Sequence, residues 1–399
     1  MSQIEIYVGI QMNNISLNDI YDKNINFLIG SGASYGLFPT LAVDIKGNGG
    51  EWQSIETLAT HFEQSGNEDA KTLLFMYYFN VCIKPVMEFD LQSPDITSAP
   101  IKIEVINNYR KFLDTVLTVL QRKKEYERKC NIFTTNYDGC FSYIADEILK
   151  EGAIDFTVND GARGFRRRYL QAKNYNSFIC QTGIFDRHRA DIPQVNLIPL
   201  HGSVYWKKDK DAILVDYSAE QETDLIDESV QTQLDAFSAI VNDNTKKIEN
   251  IPTAALEQEA KDSFWGKYKK LPIVNPTKWK FHETVFEEHY YQMLRLLSYE
   301  LEKPNSVLIT FGFSFADEHI LNLLKRSLSN PSLQVFICCF NQTEHETMQE
   351  LFKSYKNVSY VQSGTDLNFT NFNQEIFSLK PASQTPEDDE VTISGEANE

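Results

Sequence analysis

Two polar segments carry residue types suited to bond cleavage, and the first is Thr134–Asp138, which follows a short apolar run. The Asn136 amide has two donor hydrogens and one acceptor carbonyl, so it can orient both a sugar hydroxyl and an attacking water. Asp138 precedes a helical stretch that begins near Gly139, so its alternative role is to cap that helix. For Asn136 the alternative is an ordinary turn amide.

The second segment is Leu200–Ser203, in which His201 stands between an apolar run and a glycine. An imidazole titrates near neutral pH and transfers protons when it is exposed in a cleft. The chain has seven histidines, and a lone histidine is more often structural. His201 is favoured because it follows a predicted strand, as Asn136 does.

Glycines follow a further apolar run within Phe27–Pro39. Glycines directly after a buried strand let a backbone approach a pyrophosphate, whose charge is held by amides at the N-terminus of the following helix. The spacing departs from the dinucleotide fingerprint because Tyr35 occupies the third small position and Gly36 comes one residue late. A tight strand–helix turn without a ligand is an equally good interpretation.

A similar turn follows the apolar run Ser306–Thr310. Gly312 and Ser314 can contact a ribose or a phosphate there, while Asp317 begins the next helix. The alternative is a capped strand–helix turn. Asn341 follows another apolar run, where it can bind a ribose hydroxyl or close a turn.

One dense basic run, Arg163–Arg168, interrupts an otherwise acidic chain, with Arg187, His188 and Arg189 further on. These side chains can hold phosphates, an inhibitory partner or nucleic acid. The alternative is a solvated loop that balances the acidic surface.

The elements that must position these residues are short strands. Five apolar or β-branched runs lead into Gly, Asn or His: Ile25–Ile29, Cys130–Thr134, Val195–Leu200, Ser306–Thr310 and Leu333–Phe340. Continuous apolar runs are typical of strands covered on both faces of a parallel sheet. Ligands of such sheets bind beyond the carboxyl ends of the strands. We therefore predict an α/β fold with a Rossmann-like parallel sheet and the candidate residues at one edge of it.

Amphipathic spacing predicts helices between the strands. They cover Ile55–Phe62, Ala70–Val86, Val105–Arg122, Val230–Val241 and His282–Leu301. We predict one core over residues 1–380, with helical insertions at about 44–125 and 207–270. The last nineteen residues, 381–399, carry six acids and no base, which predicts a disordered acidic tail.

Composition limits the classes of function. The formal net charge of −18 argues against broad duplex binding, which depends on neutralising phosphates. No run approaches the roughly 18 apolar residues that a membrane span needs, and the first ten residues do not form an export signal. The six cysteines form no C-x-x-C pair, so we expect neither a zinc ribbon nor a redox motif, and a reducing cytoplasm as the location.

The order of these motifs resembles the sirtuin-like NAD-consuming family, in particular its bacterial antiviral branch. The motifs are G-S-G-A-S, T-T-N-Y-D, L-H-G-S, F-G-F-S-F-x-D and a strand that ends in Asn, spread over roughly residues 24–366. Pro272–Pro276 with Lys280 is similar to that branch too. The resemblance implies a sirtuin-type core that hydrolyses NAD to nicotinamide and ADP-ribose, acting as an NAD-depleting effector of antiphage defence.

The resemblance also implies roles for individual residues. The catalytic group comprises Asn136, Asp138 and His201, of which the first two lie beside the nicotinamide ribose. The residues expected to bind NAD are Gly30, Gly32, Ala33 and Ser34 at the pyrophosphate, Gly312 and Ser314 at the adenosine half, Asn341 at its ribose, and in addition Thr135 and Asp317.

Two departures favour hydrolysis over removal of acyl groups from lysine. Sirtuin deacylases carry two cysteine pairs that bind a structural zinc, and this chain has none, so we expect no zinc. The Phe-Arg that follows the glycine turn in deacylases is replaced here by Thr40-Leu41. Departure of cationic nicotinamide creates an oxocarbenium-like centre, as in glycoside cleavage. We expect Asn136 to position ribose and water, and His201 to transfer a proton.

The resemblance further implies restraint of a toxic activity. We expect a homo-oligomer, gated by self-assembly or by a HerA-type ATPase or an Argonaute, with nucleic acid met only through such a partner and no membrane association. Two alternatives remain open at this point. One is a sensor that binds NAD or ADP-ribose without turnover, and the other is a protein deacylase.

Overall fold

A computed structural model describes residues 15, 20–124, 128–182, 189–218, 221–253, 255–275 and 284–379. Its centre is a seven-stranded parallel sheet. In chain order the strands are β1 (Asn24–Ile29), β2 (Lys129–Thr134), β3 (Thr157–Asn159), β4 (Gln194–Pro199), β5 (Ser306–Phe311), β6 (Gln334–Cys338) and β7 (Val358–Val361). In space the order is β7-β6-β5-β1-β2-β4-β3.

The five predicted strands are confirmed, each within two residues of its predicted bounds. All six residues of β5 and five of the six in β1 are buried, as the continuous apolar runs indicated. The two edge strands, β3 and β7, were not predicted because they are short and half-exposed. The α/β class with a parallel, Rossmann-like sheet is therefore established.

A ladder of buried amides crosses three central strands. Asn26, Asn131 and Asn196 are register partners on β1, β2 and β4. The Asn131 amide donates to Asn26 Oδ1 at 2.8 Å, and the Asn196 amide donates to Asn131 Oδ1 at 2.7 Å. A shift of one residue would break these bonds and expose the apolar set, so the ladder fixes the register that aligns the strand ends.

Helices cover the sheet and extend beyond it. They are α1 (Ile55–Ser65), α2 (Glu68–Tyr78), α3 (Lys84–Met87), α4 (Pro94–Thr97), α5 (Pro100–Arg122), α6 (Cys140–Glu151), α7 (Gln231–Val241), α8 (Gln258–Tyr268), α9 (Thr284–Glu302), α10 (Glu318–Ser327), α11 (Gln342–Phe352) and α12 (Phe369–Asn371). The prediction of one continuous helix over Ala70–Val86 was wrong, because the helical stretch there is interrupted. It is divided by a π-helical turn, Phe79–Ile83, because Pro85 has no N–H to continue the ladder.

The two segments predicted as insertions pack against each other. Phe75 on α2 lies 5.0 Å from the Trp265 ring on α8, and Phe62 on α1 lies 6.5 Å from Phe237 on α7. Helix α5 belongs instead to the layer over the sheet, where its Phe112 ring lies 4.9 Å from Phe27 on β1. That position brings the middle of α5 close to the carboxyl ends of the central strands.

A second, four-stranded antiparallel sheet flanks the core. Its strands are Ala162–Arg163, Arg168–Leu170, Trp206–Asp209 and Ala212–Val215, so the segment predicted as helical from residue 207 begins with a β-hairpin. Two further hairpins join Ala42–Lys46 to Trp52–Ser54 and Cys180–Thr182 to Arg189–Asp191. Among the described residues, no helix is long and apolar enough to cross a membrane. The tail predicted at 381–399 lies outside the described residues, as do Arg187, His188, Pro276 and Lys280.

Candidate active site

The strand order reverses direction at β1, and the polar segments converge there. The chain leaves β1 towards β2 on one side and returns to β5 on the other. Such a switch point opens a crevice beyond the carboxyl ends of the strands. The loops after β1, β2, β4 and β5 all border this crevice and supply Ser34, Asn136, His201 and Gly312. The sequence-based prediction of one shared edge is confirmed.

The glycines have a structural reason of their own. Gly30 N donates to Phe311 O and Gly32 N donates to Gly312 O, both at 3.0 Å. A Cβ on Gly30 would lie 2.3 Å from the Gly312 carbonyl oxygen, and Gly312 has a φ of +63°. Side chains would therefore separate the loops after β1 and β5.

Within the described residues, the α-helix expected directly after the glycine turn does not form. Ser31–Ser34 make one 3₁₀ turn. Gly36, with a φ of +94°, and Pro39 stop its continuation. Any anion at this turn would meet the few amides of a short turn rather than the end of a long helix.

The Asn136 side chain is held by a closed hydrogen-bond network. Its Nδ2 donates to Ser34 Oγ at 3.1 Å and lies 3.5 Å from the Tyr109 hydroxyl on α5. Ser34 Oγ donates to Asp138 Oδ2 at 2.7 Å and lies 2.6 Å from the Tyr109 hydroxyl. Because the single Ser34 proton goes to Asp138, Tyr109 must donate to Ser34.

This proton count fixes which way the Asn136 amide faces. Ser34 and Tyr109 have no proton left to give while Asp138 is ionised, so only Nδ2 can face them. Asn136 Oδ1 is buried and accepts no hydrogen bond from any described residue. Buried amide oxygens are nearly always satisfied in folded proteins. An unpartnered acceptor at the wall of a cleft is thus a candidate contact for a ligand hydroxyl or water.

Asp138 bonds both to the start of α6 and to the network around Asn136. Its Oδ1 accepts the amide of Cys140 at the start of α6, while Oδ2 joins the Ser34 network. Desolvation at the floor of the cleft raises the pKa of Asp138, and the hydrogen bonds from Ser34 and Cys140 oppose that rise. Burial likewise raises the pKa of Tyr109, which stays protonated as the donor to Ser34.

His201 pairs with a carboxylate across the cleft. Its Nε2 lies 3.2 Å from Asp317 Oδ2, although 115 residues separate the two in the chain. Asp317 Oδ1 accepts the amides of His319 and Ile320 and so caps α10. Phe315, at a strained φ of +59°, turns the intervening loop so that Asp317 faces His201. When Nε2 donates to Asp317, Nδ1 is left as the acceptor that can take a proton.

A short segment after the helical layer supports the histidine. Val274 N donates to His201 O at 2.8 Å, and Ser203 N donates to Pro272 O at 3.2 Å. Gly202 has a φ of +86°, and a Cβ there would lie 2.0 Å from the Pro272 carbonyl oxygen. A residue other than glycine would push this segment away and displace His201.

The crevice has two adjoining chambers of about 180 and 660 Å³, both partly open to solvent. The first chamber contains Asn136 and His201. The second chamber lies over the ends of β5 and β6 and includes Cys338 and Phe369. Ser31, Thr40, Gly312 and Ser314 border both, so the two form one elongated cleft.

The charge of this cleft is one-sided. Glu56, Asp138 and Asp317 line the first chamber, and Glu104, Glu344 and Asp366 line the second. No Lys or Arg is found among the described residues that line either one. The field therefore favours a cationic group, and an anionic group depends on backbone amides such as those of the Ser31–Ser34 turn.

Some predicted binding residues lie elsewhere. Thr135 and Ser314 line the cleft, but Gly30 and Ala33 are packed beneath it and border neither chamber. Asn341 caps α11, where its Oδ1 accepts the Glu344 amide at 3.0 Å, and it borders neither chamber. Glu344 instead faces the second chamber from the same turn.

Tyr109, Glu56 and Glu344 were missed by sequence reasoning. Tyr109 and Glu56 read as helix residues and come far from any predicted strand end. Only Glu344 had a signal, because an acidic residue three positions after an Asn is typical of the first turn of a helix. That signal indicates a capping box rather than a ligand.

No group of three or more His, Cys, Asp or Glu side chains is arranged to hold a metal ion within the described ranges. The chain matches no protein-family model, and a search of curated proteins finds no significant match either. The case for a function therefore rests on the geometry of the cleft.

Proposed function

We propose that this chain is an NAD glycohydrolase, which cleaves NAD to nicotinamide and ADP-ribose in the first chamber. The observation that carries the proposal is Asn136 Oδ1, an unpartnered buried acceptor whose orientation is fixed by the Ser34 network. It borders the same chamber as His201, the candidate base. A fixed acceptor and a proton-transfer group are what a reaction between a ribose carbon and water needs.

The charge of the first chamber suits the leaving group. Nicotinamide bound to ribose is cationic, and positive charge develops on the ribose carbon as the bond breaks. Three carboxylates line this chamber, and its described lining includes no Lys or Arg to oppose them. The chamber thus stabilises the cationic centre in the transition state.

Each catalytic residue has a defined part in the proposed reaction. Asn136 Oδ1 accepts a hydrogen bond from a ribose hydroxyl or from the attacking water. His201 Nδ1 removes a proton from that water as it bonds to the ribose carbon, while the C–N bond breaks and its electron pair leaves with neutral nicotinamide. Asp317 holds the tautomer that makes Nδ1 the acceptor.

The second chamber accommodates the adenosine half in this proposal. A dinucleotide is long, and the cleft continues from the first chamber across the Gly312–Ser314 loop. The pyrophosphate would lie over the Ser31–Ser34 turn, where backbone amides replace the missing cations. Apolar Val105 and Phe369 would flank the adenine ring.

The motif order supports assignment to the sirtuin-like family and to its bacterial antiviral branch. On that basis we propose a sirtuin-type core that carries the helical layer as an insertion domain. We also propose that the enzyme acts in the cytoplasm as a homo-oligomer, with a HerA-type ATPase as the gating partner.

The test is NAD cleavage by the purified full chain, alone and with any ATPase encoded beside it, with nicotinamide and ADP-ribose quantified. We expect both products in equal amounts, and loss of both in Asn136→Ala and His201→Ala variants that unfold at the wild-type temperature. NAD binding without product in every assembly state would refute the proposal in favour of a sensor. Release of O-acyl-ADP-ribose from an acylated peptide would refute it in favour of a deacylase.

A further inference from the structure

The small antiparallel sheet packs apolar side chains against the core on its inner face and carries a row with two cations on its outer face. Leu170, Trp206, Ile213 and Val215 are buried against the core on the inner face. On the outer face the register partners Arg163, Tyr169, Leu214 and Lys207 form a row across the four strands. Strands lie about 4.8 Å apart, so the row places cations at its two ends roughly 14 Å apart, with an aromatic ring between them.

The hairpin tip beside this row exposes an aromatic side chain completely. Phe165 is 100% exposed. Arg163, Arg166 and Arg167 surround it in the chain, and all three are exposed. The turn is tight, because a Cβ on Gly164 would lie 1.8 Å from the Arg167 carbonyl oxygen. The whole phenyl ring is therefore accessible to a planar group that can stack on it.

The row and the tip together form what we call the basic strip: Arg163, Phe165, Arg166, Arg167, Tyr169, Lys207 and Leu214. One carboxylate, Asp209, accepts the Tyr169 hydroxyl at 2.7 Å and lies 3.4 Å from Arg167. The strip and this acid have a net charge of +3, whereas the rest of the chain carries −21. An anionic polymer is therefore repelled from most of the protein and attracted here.

We propose that the basic strip binds single-stranded nucleic acid. Guanidinium groups pair with phosphates, and aromatic rings interleaved with them stack on unpaired bases. A nucleobase brings its own flat π face to Phe165, whereas an acidic peptide supplies only the anions. A duplex keeps its bases stacked inside and cannot offer one to the tip. This inference does not depend on the proposed NAD cleavage, and it replaces the expectation that nucleic acid is met only through a partner.

The test uses fluorescence anisotropy of labelled dT20 and U20 with the full chain at about 50 mM salt, where phosphate contacts are strong. Loss of one stacked base costs roughly 10-fold in affinity, so Phe165→Ala should weaken binding by at least that factor without changing net charge. Tyr299→Ala is the matched control, because Tyr299 is also exposed, at 59%, on α9. We expect it to bind as the wild type does.

The salt dependence supplies a second measurement. Each phosphate contact to a single strand contributes about −0.7 to the slope of log K against log salt, so Arg166→Gln/Arg167→Gln should reduce that slope by about 1.4. Lys150→Gln/Lys353→Gln removes the same charge from exposed sites on α6 and near α11, and should leave the slope unchanged.

Three results would overturn the proposal. The first is no binding of either oligonucleotide up to about 100 µM protein, the weak limit of non-specific affinity. The second is binding that survives both strip variants unchanged. The third is displacement of dT20 by poly-glutamate with the same dependence on Phe165, which would assign the strip to an acidic protein surface.

Discussion

Replacing Asp317 with asparagine separates the catalytic use of this carboxylate from its structural use. Asparagine caps helices as well as aspartate, so its Oδ1 can still accept the His319 and Ile320 amides at the start of α10. The group that faces His201 becomes an NH₂, which cannot accept the Nε2 proton. The imidazole must then carry its proton on Nδ1, and the acceptor needed for proton transfer is lost.

The expected loss of kcat follows from the hydrogen bond between His201 Nε2 and the Asp317 carboxylate, which the substitution removes. A hydrogen bond to a charged group contributes about 1.5–3 kcal/mol, so kcat for NAD cleavage should fall by at least roughly 10-fold to 150-fold. Stability should change by no more than about 0.5 kcal/mol, because the cap is retained and the new NH₂ group donates to the unprotonated Nε2. KM should change little, since the lost interaction acts on proton transfer rather than on binding.

The assay is nicotinamide release under saturating NAD, with thermal unfolding measured on the same samples. Asn341→Ala is the matched control, because it removes the cap of α11 outside both chambers. That variant should lose about 1 kcal/mol of stability and keep its kcat. Wild-type kcat in Asp317→Asn would refute the role assigned to the pair, and equal loss of kcat in both variants would show that helix capping alone controls the rate.

Three further predictions concern the network, the ladder and the substrate, and a fourth concerns pH. Tyr109→Phe removes the donor to Ser34 and frees the Asn136 amide, so kcat should fall about 10-fold while stability falls by only about 1 kcal/mol, as measured by product release and urea unfolding. Asn131→Ala leaves Asn26 Oδ1 without its donor and leaves the Asn196 amide with only its 3.3 Å bond to Tyr175 O, so urea unfolding should show a loss of about 2–4 kcal/mol, and a loss below 1 kcal/mol would contradict the ladder argument. NADP should be cleaved at least about 10-fold less efficiently than NAD, as measured by kcat/KM, because three carboxylates and no described base line the second chamber; equal efficiencies would place the adenosine ribose elsewhere. Burial lowers the pKa of His289 from 6.5 to about 4, so between these two pH values the unfolded state binds a proton that the folded state does not. The free energy of unfolding should therefore fall by about 3 kcal/mol as the pH is lowered from 6.5 to 4. The difference between the wild type and His289→Leu in urea unfolding isolates this contribution.

Local chemistry explains what the sequence alone could establish. Apolar runs such as Ser306–Thr310 are buried on both faces, and this requires a parallel sheet whichever helices cover it. The residue after such a run must lie at the carboxyl edge. The sequence pattern alone therefore predicted that Asn136, His201 and Gly312 lie at the same edge of the sheet.

Local signals were weaker where an element is short or half-exposed. β3 and β7 have three and four residues and no continuous apolar run, so nothing in their sequences distinguished them from loops. The break before Pro85 was in principle readable, because proline cannot continue a helical ladder. Asn341 was expected at a ribose, yet its Oδ1 accepts the Glu344 amide, while the Glu344 carboxylate accepts the Phe340 amide.

Only the tertiary structure decided which side chains meet. Tyr109 reaches Asn136 because α5 packs over the sheet with its middle near the strand ends. Asp317 meets His201 across 115 intervening residues, and a strained Phe315 is needed to complete the turn. Sequence pattern encodes burial and local turns through short-range sterics and hydrogen bonding. The packing angle of a helix and the meeting of two loops depend on the whole core, so the sequence by itself determined the edge of the sheet where the site lies, and the fold decided its partners.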